Sequence, residues 1–394
     1  MSAPRVMVEG LRSGIPYPEV ARSLTVGQAA LLEEFTGWLD LVAEGRRPKL
    51  WGKILRAQYG EGKTHLLYAL RDLAGERGWV VSLVSISKET PLKPLERIYA
   101  KIVDSVMRPG HSLAGLEPLV REALAAPYVL SEARALDLSP RVAAVWDNLS
   151  RQSEGFDELI ADLSGYFLKV SDLKRIHRAN FQRPLALPRP SLRDDIPSYL
   201  RLVNWLIQKA GYSGWLLLFD EVELIGKFGR GERAQSYANL GRLLAGVADR
   251  TLSVWAVAGN FQTDVIDTRN ELEEVPKWLA ARPAWAGEVH FATLALEELV
   301  SAAPLPPLSL ADLKRLVATL YDLHREAYVW DPPVAREDFF EVVRSELGTQ
   351  DARLRTWVRA AIHTLDLWFQ YGLGGLAVRA EAAGDVDLTE ETAE

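Results

Sequence analysis

The chain has 394 residues, 48% hydrophobic and 25% charged, the composition of a globular protein with length for about two or three domains. It has no cysteine, which excludes disulfides, thiolate zinc sites and thiol nucleophiles, and six scattered histidines remain as soft metal ligands. A net charge of −7 argues against a protein that coats nucleic acid nonspecifically, while leaving room for a local basic patch.

No apolar stretch approaches the ~18 residues that a membrane span needs, and Met1-Ser2-Ala3-Pro4-Arg5 leads into no secretory apolar region. A cytoplasmic protein without membrane association is expected. In chain order, Leu24-Thr25-Val26-Gly27-Gln28 precedes a helix carrying Leu31, Leu32, Phe35, Trp38, Leu39 and Val42 at helical spacing, broken at Glu44-Gly45-Arg46-Arg47-Pro48. Lys53-Ile54-Leu55-Arg56 then reads as a short strand and Thr64 to Leu70 as an amphipathic helix. Between them lies Gly60-Glu61-Gly62-Lys63-Thr64, followed by His65. In such a loop, backbone N–H groups, the positive end of the following helix and one lysine cradle the β- and γ-phosphates, while a hydroxyl binds magnesium. Gly60, Glu61, Gly62, Lys63, Thr64 and His65 are therefore the expected nucleotide-binding residues. The full P-loop pattern asks for a further glycine where this chain has Ala57, so the match fails by one methyl group.

Trp79 to Ile86 reads as a second buried strand, Trp215 to Phe219 as a third, Leu252 to Ala258 as a fourth ending in Gly259-Asn260, and Glu288-Val289-His290-Phe291-Ala292 as a short fifth. Strands alternating with helices predict an α/β fold with a parallel sheet covered on both faces. The carboxyl ends of such strands face the ligand crevice, and the third runs into Asp220-Glu221. Asp220 is assigned to magnesium, through water or with Thr64, and Glu221 to orienting and polarising the attacking water. The expected cofactors are ATP and Mg2+, and the expected activity is ATP hydrolysis.

More than one crossover helix separates the second strand from the third, which predicts a mostly helical insertion over 105–205. The ATPase core then occupies 1–104 and 206–300. The insertion holds a basic concentration, Lys174, Arg175, His177, Arg178, Arg183, Arg189 and Arg193 around Phe181, with Pro184, Pro188 and Pro190. It reads first as a solvated helix end followed by a proline-punctuated loop, with a surface for DNA backbone or an acidic partner as the functional alternative. Ala303-Pro304-Leu305-Pro306-Pro307 marks a boundary, after which 301–372 forms a helical lid with Leu316, Leu320, Phe339, Phe340, Val343, Trp357, Ile362, Leu365 and Trp368 as its core. The acidic tail, 373–394, has little to bury and is expected to be disordered.

The ordered set Val26-Gly27-Gln28, Gly60-Glu61-Gly62-Lys63-Thr64, Asp220-Glu221-Val222-Glu223, Ala258-Gly259-Asn260 and a helical lid resembles an AAA+ ATPase of the origin-recognition type. More narrowly, Leu11-Arg12-Ser13-Gly14-Ile15-Pro16 and the Gly-Glu-Gly-Lys-Thr-His-Leu-Leu loop resemble the bacterial ATP-binding family of BREX phage-exclusion systems. The resemblance implies that Val26, Gly27 and Gln28 lie against adenine, Gln28 standing where such proteins more usually have arginine. It implies that Asn260 is the sensor-1 residue and that Arg355 or Arg353 is the sensor-2 arginine of the lid. Arg282, or in its place Arg269, would be a finger given to a neighbouring subunit in a nucleotide-formed oligomer, since no local carboxylate motif neutralises either. Origin-recognition ATPases carry a winged-helix domain after the lid, and too few residues follow Trp368 to hold one. If DNA is a partner, the insertion or an oligomer channel must bind it. The implied function is a nucleotide-dependent switch or motor acting with other defence-system proteins; a nucleotide-loaded scaffold or sensor with little turnover, and an ATPase loader for a DNA helicase, stay open.

Overall fold

The computed structural model describes residues 3–12, 24–125, 136–188, 191–348 and 353–372. The chain divides into two compact units, one made of Ala30–Gln58 and Leu70–Leu305, the other of Met1–Ala29, Tyr59–Ala69 and Pro306–Glu394. The predicted acidic tail lies outside the described residues.

In chain order the elements are α1 (Ala3–Arg12), α2 (Ala29–Ala43), β1 (Gly52–Ala57), α3 (Lys63–Glu76), β2 (Trp79–Ser85), α4 (Leu95–Asp104), β3 (Val106–Met107), α5 (Glu117–Ala125), α6 (Pro140–Leu149), α7 (Phe156–Leu163), α8 (Val170–Phe181) and α9 (Leu192–Lys209). The second half contains β4 (Gly214–Asp220), α10 (Arg230–Ala245), β5 (Thr251–Ala258), α11 (Glu271–Ala280), α12 (Val289–Ser301), α13 (Leu310–Tyr328), α14 (Arg336–Leu347) and α15 (Leu354–Tyr371).

The sheet unit has the strand order β1-β5-β4-β2-β3. The first four strands run parallel, in the register Ala57↔Ala258, Phe219↔Trp255 and Ser85↔Asp220, so their carboxyl ends share one edge of the sheet. Every residue of β4 is buried, as its unbroken apolar run requires when helices cover both faces. Phe219 stacks on Trp255 at 3.8 Å, and Trp215 Nε1 donates to Ser82 Oγ at 3.0 Å, which satisfies the one polar atom that the large indole brings into the sheet. The two-residue β3 pairs antiparallel with β2 and makes the sheet mixed at that edge. A two-residue strand is too short to leave a period in the sequence.

One predicted strand is a helix. Glu288–Ala292 stands in a short 3-10 turn, Ala286–Glu288, and the start of α12. The alternation of Val289 and Phe291 suggests a strand, but the longer window buries Ala292, Ala295, Leu296 and Leu299, the spacing of a helix face. This helix packs hard against α10, where a Cβ on Gly241 would lie 1.8 Å from the Phe291 carbonyl oxygen.

The insertion is helical, and its helices share one apolar core with the sheet. Its polar anchor is Asp162 on α7, fully buried. Its carboxylate accepts from Arg141 Nη2 at 2.5 Å, from the Leu168 backbone N–H at 2.7 Å and from the Tyr199 hydroxyl, joining α6, α7 and α9. Burial pushes its pKa up, against the pull of the Arg141 guanidinium and these hydrogen bonds. The basic concentration is partly internal. His177 is buried and accepts from Asn148 Nδ2 at 3.0 Å, while Arg193 pairs with Glu288 at 2.6 Å and lies 3.6 Å from the Trp285 ring centroid. Arg151 and Arg183 lie over Phe181, and Arg189 lies outside the described residues.

The helical unit packs α13, α14 and α15 with α1 around one core that holds all nine apolar residues assigned to the lid. Phe340 lies flat on Trp357 at 5.2 Å. Arg12 Nε and Nη2 grip Asp366 at 2.7 and 2.6 Å, and His324 Nε2 meets the same carboxylate at 3.0 Å. Trp330 Nε1 donates to His324 Nδ1, which leaves the histidine proton on Nε2, facing Asp366. Burial raises the Asp366 pKa, and the bonds from His324 and Arg12 more than offset it, so the carboxyl sits below its ordinary value.

Removing Asp162 leaves the Arg141 charge buried without a counterion. Asp162→Ala is therefore expected to cost about 3–5 kcal/mol, read as a fall in the denaturant midpoint of the whole chain. A change below roughly 1 kcal/mol, the size of an ordinary surface substitution, would show that the network carries no net load.

Candidate nucleotide-binding site

The glycine-rich loop belongs to the helical unit. Gly60 and Gly62 have φ of +85° and +90°, a left-handed conformation that L side chains enter only with strain. This is the physical content of the Gly-x-Gly spacing. Ala57, at the place of the missing first glycine, is the last residue of β1 and is paired with Ala258 in regular strand geometry. No left-handed turn is needed there, so a methyl group is accommodated. Lys63 opens α3 and is only 9% exposed, with Thr64 next to it in the first turn, where backbone N–H groups lack helical acceptors.

The predicted adenine segment lies in the same unit. Thr25 Oγ1 is 3.1 Å from His65 Nε2, which ties Val26, Gly27 and Gln28 to the first turn of α3. Gly27, at φ +70°, is pressed against Leu308 and Asp312, so that a Cβ would meet Leu308 at 2.5 Å. Asp312 is itself fixed by the capping box of α13, accepting from the Ser309 backbone N–H at 3.0 Å while the Ser309 hydroxyl accepts from its own. Val26 packs on the lid core, and Gln28 Oε1 is buried without a partner among the described residues. Both candidate sensor-2 arginines lie at the start of α15, beside the loop. Arg355 donates its backbone N–H to the Gly60 carbonyl at 3.0 Å, and Arg353 Nη1 donates to the Tyr59 carbonyl at 3.3 Å.

The acidic residues lie at the carboxyl edge of the sheet unit. Asp220 is 6% exposed; its Oδ1 accepts from the Glu221 N–H at 2.9 Å and its carbonyl from the Ile86 N–H at 3.0 Å. Glu221 is exposed, in the left-handed region at φ +57°, ψ +36°, with Oε2 3.4 Å from the Ser85 hydroxyl at the end of β2. A non-glycine residue reaches that conformation only at a cost in local backbone energy. Asn260 follows β5, the strand that separates β1 from β4. It is exposed, and its Nδ2 donates to Asp264 at 2.5 Å.

Three residues at this edge make contacts that the sequence did not assign to them. Ser85 and Glu223 are two, the latter accepting the Ala258 N–H at 3.0 Å and so fixing the 3-10 turn Val222–Lys227 to the end of β5. Glu223 repeats the acidic spacing after Asp220 and Glu221, the one signal that marks it. The third is Arg269. Its Nη1 donates to the Gly226 carbonyl at 2.8 Å and ties the same turn to the segment after Asn260. Arg282 likewise has partners, stacking 3.7 Å from the Trp278 centroid and donating to the Trp278 carbonyl at 2.8 Å. Both arginines are satisfied by carbonyls or an indole, partners that charge patterning does not reveal.

Each unit carries one oxygen donor of a type that suits Mg2+, the Thr64 hydroxyl in the helical unit and the Asp220 carboxylate in the sheet unit. Among the described residues, no group of three His, Asp or Glu side chains could hold a metal ion, and no helix is long and apolar enough to cross a membrane.

A mostly parallel sheet, a Gly-x-Gly-Lys-Thr loop between its first strand and a helix, and an acidic pair closing a central strand are compatible with a P-loop-like core. The family model of the BREX system ATP-binding protein BrxC/D matches residues 3–123 and 192–372. The chain belongs to this BREX ATP-binding family. The span between the two matched segments holds α6, α7 and α8 of the insertion. No curated protein and no solved structure matches the chain.

Glycine accepts the left-handed conformation of residue 221 without strain. Glu221→Gly is expected to raise stability by about 0.5–1 kcal/mol, read as a higher denaturation midpoint. A lower midpoint would show that the side chain, through Ser85, contributes more than its backbone conformation costs.

Proposed function

We propose that the chain binds Mg-ATP on the Gly60–Thr64 loop, hydrolyses it, and uses the nucleotide to switch its contacts with the machinery of a BREX anti-phage system. The observation that carries this reading is the loop itself: two glycines at positive φ, a nearly buried lysine and a threonine in the first turn of α3, in a chain of an ATP-binding family. Lys63 neutralises the β- and γ-phosphates, and the N–H groups of the loop and first helical turn take their oxygens. Thr64 and Asp220 would hold magnesium, which would supply charge neutralisation on the terminal phosphates. Val26, Gly27 and Gln28 receive the adenine.

Glu221 accepts a proton from the attacking water and orients it, and Asn260 holds that water or the γ-phosphate after releasing Asp264. The exposed carboxylate of Glu221, poised by its left-handed backbone, supports this division between a metal residue and a water residue. Arg282, exposed after α11, serves as a finger toward a second copy of the chain and links ATP to assembly.

Binding and chemistry separate by substitution. Lys63→Ala should weaken ATP binding by ~100-fold or more, as removal of a charge-assisted phosphate contact implies, with the fold retained. Glu221→Gln should keep ATP and magnesium bound while slowing turnover by ~100-fold or more. Unchanged ATP affinity in the first variant would overturn the loop assignment; an unchanged rate in the second would overturn the role of Glu221.

A further inference from the structure

Tyr59 stands immediately before Gly60, at a position that the P-loop pattern leaves open. It is 65% exposed, so packing does not explain an aromatic residue in a phosphate-binding loop. Its partner is Arg355. Arg355 Nη1 donates to the Tyr59 hydroxyl at 2.7 Å, and its guanidinium lies 4.7 Å from the centroid of the same ring. The main chain around this pair is fastened too, by Arg355 N–H on the Gly60 carbonyl and Arg353 Nη1 on the Tyr59 carbonyl. A Cβ on Gly62 would lie 3.0 Å from Leu354, so the first turn of α15 also closes over the second loop glycine.

We propose that Tyr59 is a positioning residue, which holds the Arg355 guanidinium at the rim of the phosphate loop so that it meets the terminal phosphate of a nucleoside triphosphate already ordered. The proposal rests on the ATP reading of the loop given above. A guanidinium has five N–H donors in a planar fork, and the tyrosine hydroxyl engages one nitrogen. Nε and Nη2 have no hydrogen-bond partner among the described residues. Arg355 can therefore keep Tyr59 and still present two parallel donors to phosphate oxygens, the geometry in which arginine binds them best. Tyr59 need not be released for the arginine to act. Its ring limits the sweep of a long side chain, and its hydroxyl sets the rotation of the fork about the last bond. The ordering is then done before the ligand arrives. A diphosphate lacks the group that Arg355 would meet, so the benefit is confined to the triphosphate.

The test is equilibrium binding of Mg-ATP and Mg-ADP to the full chain and to Tyr59→Phe, Arg355→Ala, the double variant and Lys63→Ala, with thermal melts as the folding control. Tyr59→Phe keeps the ring and removes the hydroxyl. It should weaken ATP by roughly 3- to 10-fold and leave ADP within about 2-fold, the scale of one rotamer-rich side chain left unordered. In the Arg355→Ala background the same substitution should change nothing further, because Tyr59 acts through that arginine. An unchanged ATP-to-ADP ratio, a tightening of ATP, or an equal loss without Arg355 would each overturn the proposal. Failure of the loop reading looks different, since Lys63→Ala would then bind ATP as the parent does.

Discussion

Parallel pairing of β1, β5, β4 and β2, buried on both faces, is the constraint on which the rest of the sheet unit depends. Parallel strands need covering crossovers, and once four share a direction their last residues are delivered to one edge whatever follows them. Ser85, Asp220 and Asn260 reach that edge because Ser85 pairs with Asp220 and Phe219 with Trp255 in register. A slip of one residue would turn the acidic pair to the other face of the sheet. The stacked Phe219 and Trp255 and the Trp215–Ser82 hydrogen bond resist that slip.

At the same edge the chain works against local backbone preference. Gly60 and Gly62 reach the left-handed region without strain, but Glu221 enters it as a glutamate. Around it Glu223 and Arg269 fix the following turn to the backbone of its neighbours, so that a strained residue stands on a stiff support. The insertion follows a different logic. Its helices surround a buried Arg141–Asp162–Tyr199 network, in which Arg141 and Asp162 lie in the stretch that the family model leaves unmatched and Tyr199 lies in the second matched segment. Desolvation offsets much of the attraction in such a network, while loss of one partner leaves the other charge buried and unpaired.

Legibility followed the length of the signal. The strands Trp79–Ser85, Gly214–Asp220 and Thr251–Ala258 were readable because buried parallel strands are continuous apolar runs, and the lid core because its apolar residues recur at helical spacing. Glu288–Ala292 was misread since five residues of alternation cannot be told from the first turn of a helix whose apolar face continues to Leu299. β3 was too short to see. The left-handed backbone of Glu221 has no sequence signature in a non-glycine residue, and Arg269, Arg282 and Arg355 find carbonyls and rings rather than carboxylates. Tyr59 and Arg355 lie 296 positions apart. Only folding brings them together.

The central claim is that nucleotide is held by the loop between Tyr59 and His65. Hydrogen exchange of the intact chain, with and without saturating Mg-ATP, tests it most directly by reporting which backbone N–H groups gain a partner. The account predicts slowed exchange across Gly60 to Leu66 and in the first turn of α15, with the insertion helices around Asp162 unchanged. Protection that leaves the loop untouched, or none at saturating ATP, would contradict it.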